Sequence, residues 1–474
     1  MFSLALLAAA ASSILPTASA TLAPIVRKGP YLFDSSSGDR FFIKGAAYPA
    51  NYGSSQTQPD GSISKLDPLA NTDGCKRDVS YFQELGINLI RVYQANSSLD
   101  HSECMSALDS AGIYVLLDLA TPSDNGAISS SSPSWNTGLM TSFLSTVDAF
   151  GAYTNVLGFN VGNEVITATT DIQAAPYVKA ALRDVKSYIS THGFTQLVGY
   201  TATDTPNSRI AFPYYLACDD SLGGSGYFDY WGLNIYEWCG ESDFVTSGYQ
   251  ARTAELAALG IPAFFSEYGC NSVEPRTFED VPVLYSSNMT DVWSGGIVFE
   301  FINESNDFGL GNVSSDGSSY TPSTDFTNYQ SALSSAASAI PTYSPLASYT
   351  PTVTAPTSCP TTNDTWTASN TLPPTPNGDL CDCVVSQLSC VYNPSVISSV
   401  AEVGTAIGVV CGISSNCTSV SGNGTTGVYG DFSMCDPTQV LDIALDAYYE
   451  SQSRSADACD FSSSASLKTA STQS

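Results

Sequence analysis

Short apolar runs rich in β-branched and aromatic residues recur between residue 21 and about residue 335, and each is followed by a longer amphipathic or polar stretch. Such alternation is typical of strand and helix units that follow one another along the chain. Because the runs are apolar almost throughout, we expect strands that are covered on both faces, as in a parallel sheet. The eight runs are FFIKGAAY from Phe41, INLIRVYQ from Ile87, IYVLLDLA from Ile113, VLGFNVGNE from Val156, QLVGYTA from Gln196, YWGLNIYEW from Tyr230, PAFFSEYG from Pro262 and GGIVFEF from Gly295.

Eight strands within about three hundred residues predict an α/β fold of the (β/α)₈ barrel type for residues 21–335. The alternative is an open, doubly wound sheet. That alternative is disfavoured because the residues at the first run, GAAYPANYG, lack the glycine spacing of a dinucleotide-binding or phosphate-binding loop.

The C-terminal part of the chain has a different composition. Residues 336–378 are rich in Ser, Thr and Pro without a periodic apolar face, which predicts an extended linker. Residues 379–462 are rich in Cys and contain few large apolar residues, so we expect a small, mainly helical module that disulfides hold together. Residues 463–474 form a polar tail.

Residues 1–20 form an apolar run that ends in Ala-Ser-Ala, which predicts a signal peptide cleaved before Thr21. A membrane anchor is the alternative, but Pro16 interrupts the run and the run is short for a bilayer. No apolar stretch of spanning length follows residue 20, so we expect a secreted, soluble protein.

Thirteen cysteines fit the oxidising compartment of a secreted protein. The predicted barrel contains five of them, an odd number, so one needs a partner outside, and a bridge from Cys218 to Cys359 in the linker would supply it. Seven more lie in the module, so one thiol there should be unpaired. The predicted disulfide cysteines are Cys75, Cys104, Cys218, Cys239, Cys270, Cys359, Cys381, Cys383, Cys390, Cys411, Cys417, Cys435 and Cys459. The candidate N-glycosylation sites are Asn96, Asn288, Asn303, Asn312, Asn363, Asn416 and Asn423.

The charge balance excludes several classes of function. A net charge of −29 argues against a protein that binds nucleic acid by neutralising phosphates. The two histidines, His101 and His192, belong to no metal-ligand spacing, so we expect no metal and no cofactor. We also expect a monomer.

Two glutamates stand at predicted strand ends, where barrel enzymes carry their catalytic groups. Glu164 ends the fourth run, in GFNVGNEV, and Glu267 ends the seventh, in FFSEYG. Strands four and seven face each other across a barrel, so the two carboxyl groups can flank one bond. Hydrolysis of a glycosidic bond needs such a pair, one carboxyl protonated and the other ionised. A strand-end salt bridge or helix cap is the alternative role for each glutamate alone.

The motifs KGAAY, RVYQ, LLDLATP, VGNEV, GLNIYEWCG, SEYGC and SGGIVFEF, followed by a Cys-rich segment that opens with CDC, extend the argument to nearly the whole mature chain. With them, the sequence resembles the fungal β-1,3-glucanosyltransferases of glycoside hydrolase family 72. Members are glycolipid-anchored surface enzymes that elongate cell-wall glucan. The resemblance implies that Glu164 is the acid/base and Glu267 the nucleophile, with β-1,3-glucan as donor and acceptor.

Supporting roles follow from position. We expect Asn163 to bind the 2-hydroxyl of the sugar at the scissile bond. Tyr236 would donate to Glu267 and keep it ionised. Arg91 either lowers the pKa of the nucleophile or is a structural partner of Asp118 or of Glu300, and the sequence favours neither role. Arg91 and Asp118 are therefore included among the candidate substrate-binding residues.

Aromatic residues at or near strand ends are candidates for stacking on sugar rings. They are Tyr93, Tyr268, Trp238, Phe299 and Phe301, and core packing is an equally good explanation for each. Among the rival carboxylates, Glu237 has no distinguishing feature. Glu300 should point away from the face of Phe299 and Phe301 by strand alternation, and Glu304 should lie exposed in a loop.

The first strand departs from the family pattern. The resemblance implies a polar side chain, typically Gln, after Ala-Tyr, but Pro49 stands there. Either Asn51 replaces that side chain or the subsite binds sugar more weakly. The preference for transfer over hydrolysis rests on the resemblance, so an endo-β-1,3-glucanase and a non-catalytic glucan-binding wall protein remain the alternatives.

The Cys-rich segment resembles the glucan-binding X8 modules of plant and fungal wall enzymes. Trp366, Tyr429, Phe432 and Tyr448 are the candidate sugar-stacking residues, and simple support of the barrel is the alternative role. Family members commonly carry an apolar tail that a glycolipid replaces. No such tail follows SSSASLKTASTQS, so the sequence is interpreted as truncated or as a released form. The membrane is then a partner only through such an anchor.

Overall fold

Eight parallel strands close into a barrel in which each strand pairs with its neighbours in chain order. The computed structural model describes residues 21–49, 67–121, 126–218, 228–414 and 417–468. The barrel strands are β1 (Ile43–Ala47), β2 (Leu89–Val92), β3 (Tyr114–Asp118), β4 (Val156–Asn163), β5 (Leu197–Thr203), β6 (Tyr230–Asn234), β7 (Ala263–Tyr268) and β8 (Trp293–Val298). Each lies in, or overlaps, one of the eight predicted runs. The pairing of β8 with β1 closes the sheet, so the barrel is confirmed and the open sheet is wrong.

The strands contribute apolar side chains to two separate clusters of buried residues. One cluster consists mainly of strand residues, among them Ile43, Leu116 and Ile297, and Ile25 and Leu32 of an N-terminal hairpin pack into it. The hairpin strands are Ile25–Lys28 and Tyr31–Asp34. Outward-facing residues pack against an outer ring of helices. Those helices are Thr72–Leu85, Ser102–Ala111, Thr137–Phe150, Thr169–Ala174, Ala175–Thr191, Pro206–Arg209, Phe212–Ala217, Tyr249–Leu256, Asp280–Leu284 and Thr324–Ala337.

Residues 338–377, here called the strap, contain no helix or named strand but pack against the barrel. The backbone N–H of Leu346 donates to the carbonyl of Gly38 over 2.7 Å. Cys218 and Cys359 form a disulfide that anchors the strap to the barrel. Trp366 is only 1% exposed and packs 5.2 Å from the ring of Tyr215. The strap is therefore part of the barrel surface rather than a free linker, and Trp366 is a core residue rather than a sugar-stacking one.

The C-terminal module is mainly helical and has its own small core around three disulfides. Its helices are Gly378–Gln387, Val400–Ile413, Cys417–Ser419, Pro437–Ser451, Ala456–Cys459 and Phe461–Ser463, and its strands are Cys390–Tyr392, Gly422–Asn423, Val428–Tyr429 and Ala465–Leu467. Its disulfides are Cys381–Cys435, Cys390–Cys459 and Cys411–Cys417, which leaves Cys383 as an exposed thiol. Ala465–Leu467 pairs with Cys390–Tyr392, so the start of the predicted tail belongs to the module.

The module lies against the barrel and the strap. Met434 accepts a backbone hydrogen bond from Thr137 of the barrel over 2.9 Å. Tyr429 packs edge-on against Tyr177 of a barrel helix, and its hydroxyl donates to the carbonyl of Thr371 in the strap. Tyr429 is thus a contact between units. Of the other predicted stacking residues, Tyr448 packs against Phe461 and Phe432 is half-buried.

Across the described ranges, the structure contains no helix with the length and apolarity that crossing a bilayer requires. The predicted signal peptide, Asn51 and the sequon at Asn416 lie outside the described residues. Of the other sequon asparagines, Asn303 is half-buried and the remaining ones are exposed. Those exposed are Asn96, Asn288, Asn312, Asn363 and Asn423.

Candidate active site

The C-terminal ends of the barrel strands bring polar side chains from six strands into one hydrogen-bonded network. These side chains are Arg91 of β2, Asp118 of β3, Asn160, Asn163 and Glu164 at the end of β4, Thr201 of β5, Asn234 of β6, and Ser266 and Glu267 of β7. Parallel barrel strands place all such ends at one mouth, which explains why residues so distant in the chain meet.

Both strands that carry the glutamates contain an extra residue near their ends. Asn160 of β4 pairs with Gly199 of β5, and Asn163 pairs with Thr201. An advance of three residues along β4 therefore corresponds to only two residues along β5. Along β7 the same excess occurs, because Leu233 and Asn234 of β6 pair with Phe265 and Glu267. A β-bulge of this kind bends the strand and changes the direction of a side chain, and bulges are common beside active sites.

Glu164 has a left-handed backbone, with φ of 52°. For a residue other than glycine this conformation costs roughly 1–3 kcal/mol, which the surroundings must offset. Its N–H donates to the carbonyl of Thr201 over 3.0 Å. Successive strand residues normally face opposite sides. Here the turn at Glu164 lets both Asn163 and Glu164 contact Asn234.

Three donors hold the carboxyl group of Glu267. Its Oε1 accepts from Arg91 Nη1 over 3.1 Å and from the Tyr93 hydroxyl over 3.0 Å. Its Oε2 accepts from the Tyr236 hydroxyl over 3.0 Å. Burial raises the pKa of Glu267, and the charge of Arg91 opposes that rise, as do the two tyrosine hydroxyls, while the nearby charge of Glu164 adds to it. Both oxygens are therefore fixed in direction.

Arg91 is completely buried and forms ion pairs with both Asp118 and Glu267. Its Nη2 lies 2.8 Å from Oδ2 of Asp118, while Nη1 contacts Glu267. Burial by itself would lower the pKa of Arg91, but the charge of Asp118, with Tyr93 and Glu267, raises it above its ordinary value. Asp118 is 2% exposed. Because neither side chain is accessible, the expectation that Arg91 and Asp118 bind substrate directly is wrong. Arg91 holds Glu267 and Asn163, and Asp118 acts on the site by holding Arg91.

Asn234 links the two glutamates, and sequence reasoning missed it. Its Nδ2 donates to Glu164 Oε1 over 2.9 Å and to Asn163 Oδ1 over 3.1 Å. Its Oδ1 accepts from Ser266 Oγ over 2.7 Å and from Arg91, which holds Glu267. Its position in GLNIY could have indicated it. Asn234 stands two residues before Tyr236, and residues two apart in a strand share a face.

Four aromatic residues, Tyr93, Tyr236, Phe299 and Phe308, form a cluster beside Glu267 that we call the aromatic wall. The Phe299 ring lies 6.3 Å from that of Tyr93, 6.5 Å from that of Tyr236 and 5.4 Å from that of Phe308. Tyr236 and Phe308 are 5.5 Å apart. Phe308 follows the last barrel strand in a loop, so no strand pattern indicated it.

Phe301 does not belong to this wall. It is fully buried, 4.4 Å from the stacked ring of Tyr320 and 4.7 Å from that of Phe82. The expectation that it stacks on sugar is wrong, because β8 ends at Val298 and strand alternation does not continue into the following residues. For the same reason Glu300 is not on the opposite face of a strand but buried, with 1% exposure.

The remaining candidates lie outside the network. Tyr268 and Trp238 are core residues, with 0% and 6% exposure. Glu237 forms an ion pair with Arg252 over 2.9 Å. Glu304 is half-buried rather than fully exposed.

Two disulfides brace the barrel loops and helices. Cys239–Cys270 joins the segments that follow β6 and β7, and so lies three residues beyond both Tyr236 and Glu267 along the chain. Cys75–Cys104 joins the helices Thr72–Leu85 and Ser102–Ala111. Only the first of these lies next to residues that hold the candidate nucleophile.

A barrel whose fourth and seventh strands each end in a glutamate, with both side chains in one network, has the architecture of a carbohydrate-active barrel enzyme. The chain belongs to the family described as glucanosyltransferase, whose model matches residues 14–337. A model of the X8 domain matches residues 388–466.

Curated relatives cover almost the whole chain. The 1,3-beta-glucanosyltransferase gas1 of Schizosaccharomyces pombe is 46% identical over 468 residues, which are 98% of this chain and 82% of that protein. The 1,3-beta-glucanosyltransferase gas2 of the same yeast is 40% identical over 476 residues, 98% of each chain. Among solved structures, Saccharomyces cerevisiae Gas2p, as a Glu-to-Gln mutant in complex with laminaritetraose and laminaripentaose, is 34% identical with a TM-score of 0.82, and the match covers 94% of this chain and 95% of that one.

Proposed function

We propose that this chain is a retaining β-1,3-glucanosyltransferase that cleaves a β-1,3-glucan internally and joins the new reducing end to the non-reducing 3-hydroxyl of a second chain. Two relatives that match this chain over nearly its whole length are named for this activity, and a similar structure holds laminari-oligosaccharides. The single observation that carries the proposal is the network through Asn234 and Arg91, which joins Glu164 and Glu267 at one barrel mouth.

In the first half of the reaction, Glu267 attacks the anomeric carbon and forms a glycosyl ester. Glu164 gives its proton to the oxygen of the leaving chain. The donors on both oxygens of Glu267 favour this role, because they fix the direction of attack and stabilise the ionised carboxylate. The carbon–oxygen bond to the leaving chain breaks as the ester bond forms.

In the second half, Glu164 takes the proton of an incoming 3-hydroxyl, whose oxygen attacks the anomeric carbon and releases Glu267. The side chains of Arg91, Thr201 and Asn234 all donate to Oδ1 of Asn163. Its Nδ2 is therefore the atom suited to donate to a sugar 2-hydroxyl. The aromatic wall supplies apolar ring faces on which pyranose rings can stack.

Hydrolysis and non-catalytic binding are the competing functions, and product sizing separates the three. Wild-type enzyme is incubated with a reducing-end-labelled β-1,3-glucan oligosaccharide. Chains longer than the substrate support the proposal, exclusively shorter chains mean a glucanase, and unchanged chains mean a binding protein. Glu164→Gln and Glu267→Gln should each abolish product formation, while Glu103→Gln, an exposed glutamate on an outer helix, should behave as wild type.

We also place the enzyme outside the cell, at the cell surface or in the wall, where its substrate lies. The predicted signal peptide, the exposed sequons and the disulfides support this location. Attachment through a glycolipid, glycosylation at the sequons and a monomeric state are the finer parts of the proposal. Support of the barrel is the role that the module's contacts with the barrel and the strap favour.

A further inference from the structure

Arg276, in the loop after β7, is 3% exposed, and its side chain donates hydrogen bonds to four residues. Its Nη1 donates to the carbonyl of Gly269 over 3.1 Å and to that of Phe299 over 2.8 Å. Its Nη2 donates to the carbonyl of Phe308 over 2.6 Å, and its Nε donates to Asp325 over 2.6 Å. One guanidinium therefore joins three loop carbonyls and a carboxylate.

These carbonyls connect the nucleophile to the aromatic wall. Gly269 lies two residues beyond Glu267, at the end of β7. Phe299 and Phe308 belong to the aromatic wall and bound the loop after β8. The N–H of Glu300 also donates to the Phe308 carbonyl over 3.0 Å, and this hydrogen bond joins the two ends of the loop. Tyr93 and Tyr236 are held to Glu267 directly, whereas Phe299 and Phe308 are joined to the end of β7 by the side chain of Arg276, which does not contact the carboxylate.

We propose that Arg276 is a positioning residue that fixes the aromatic wall relative to Glu267 and thereby sets how tightly the enzyme binds glucan. The inference rests on the proposed function, since it assumes that the wall contacts sugar. It adds to that function a determinant of substrate affinity that lies behind the binding surface.

The chemistry of arginine suits this role. Its planar fork directs several N–H groups at fixed angles, whereas a lysine ammonium is a single point donor on a flexible stem. Asp325 compensates the buried charge, and it also accepts from the backbone N–H of Arg276 over 3.0 Å. The guanidinium lies 4.9 Å from the ring centre of Phe278, which restricts its movement further.

Arg40 provides a control, because it is a half-buried arginine that also packs on aromatic rings. Its guanidinium lies 3.5 Å from the ring centre of Tyr31 and 4.0 Å from that of Tyr343, and it donates to the carbonyl of Thr290. It precedes β1 and therefore lies at the barrel end opposite the candidate site. A purely structural role for Arg276 predicts that the two arginines respond alike.

The experiment measures the Kd of laminaripentaose by calorimetry in Glu164→Gln protein, where the sugar is not cleaved. Adding Arg276→Lys or Phe308→Ala should each weaken binding about tenfold, since small misplacements of a binding surface are costly. The two changes together should be no weaker than Phe308→Ala alone within about a factor of two, because both act through the same wall. Arg40→Lys should leave Kd unchanged while lowering the melting temperature.

An unchanged Kd in Arg276→Lys, or effects that multiply in the combined variant, overturns the inference. If Arg276→Lys does not fold, Asp325→Asn replaces it, with a smaller weakening that must again fail to multiply with Phe308→Ala. In enzyme with Glu164 intact, Arg276→Lys should raise KM more than it lowers kcat. Failure of the wild-type protein to elongate glucan contradicts the proposed function alone, because the binding comparison does not depend on turnover.

Discussion

Arg91 Nη1 lies 3.1 Å from Glu267 Oε1. The same guanidinium binds Asp118, so the positive charge beside Glu267 is itself held in place by a buried carboxylate. Burial favours the protonated form of Glu267, and Arg91 works against it. The ionised form of Glu267, the proposed nucleophile, is therefore favoured by a buried ion pair together with the hydroxyls of Tyr93 and Tyr236.

The first prediction concerns the pH dependence of activity. Arg91→Lys keeps the positive charge but loses the planar guanidinium group whose two Nη atoms contact Asp118 and Glu267 at the same time. Since Arg91 lowers the pKa of Glu267, a weaker contact should let that pKa rise. The acid limb of the kcat/KM profile should then move to higher pH by about half a unit or more. An acid limb that stays in place or moves to lower pH contradicts the role given to Arg91.

The second prediction concerns stability and uses the buried carboxyl of Glu300. Burial, with a contribution from Glu304, raises the pKa of Glu300 from 4.5 to about 8. Between these values the unfolded chain is ionised while the folded protein keeps its proton, so this group destabilises the fold increasingly as pH rises from about 4.5 to 8.

Glu300→Gln imitates the protonated carboxyl at every pH. In urea unfolding the variant should match wild type at pH 4 and be more stable at pH 8, by roughly 2 kcal/mol or more. Glu103→Gln, whose side chain is 61% exposed, should show a difference that does not grow with pH. A stability difference between Glu300→Gln and wild type that is constant with pH would falsify the raised pKa of Glu300.

The third prediction compares two disulfides that close loops of similar size. Cys239–Cys270 and Cys75–Cys104 span 31 and 29 residues, so removing either by paired Ala substitutions should lower stability by a similar amount, about 3 kcal/mol. Only Cys239–Cys270 braces the segments beside Tyr236 and Glu267.

At a temperature well below both melting points, the Cys239/Cys270 variant should therefore lose about tenfold in kcat/KM while the Cys75/Cys104 variant keeps wild-type activity. Equal losses in both variants would mean that the first disulfide has no special relation to the site. Thermal melts and initial rates on the same preparations provide the comparison.

The barrel and its two glutamates were predictable because they depend on local features. Eight apolar runs mark the strands, and the rule that catalytic groups follow barrel strands singled out Glu164 and Glu267. The local backbone features that set the direction of the two side chains were not predictable. The bulges before both residues are properties of register between neighbouring strands, and no pattern within one run encodes them.

Other residues failed for a related reason. The prediction for Phe301 is wrong because it assumes strand alternation beyond Val298, where the strand ends. Phe308 joins the aromatic wall through loop closure, which a single sequence does not reveal. Trp366 lies in a segment that reads as a linker, yet a disulfide and hydrogen bonds hold that segment against the barrel. Contacts between distant segments decided each of these positions.

The most direct test of the central claim is to trap the glycosyl ester. Glu164→Gln protein is mixed with a β-1,3-glucan oligosaccharide that carries a leaving group needing no protonation, and peptides are then analysed by mass spectrometry. Loss of the acid/base slows release of the ester more than its formation from such a donor. We predict one added oligosaccharide, bound through the side chain of Glu267. No adduct, or an adduct on any other residue, would contradict the assignment of the two glutamates.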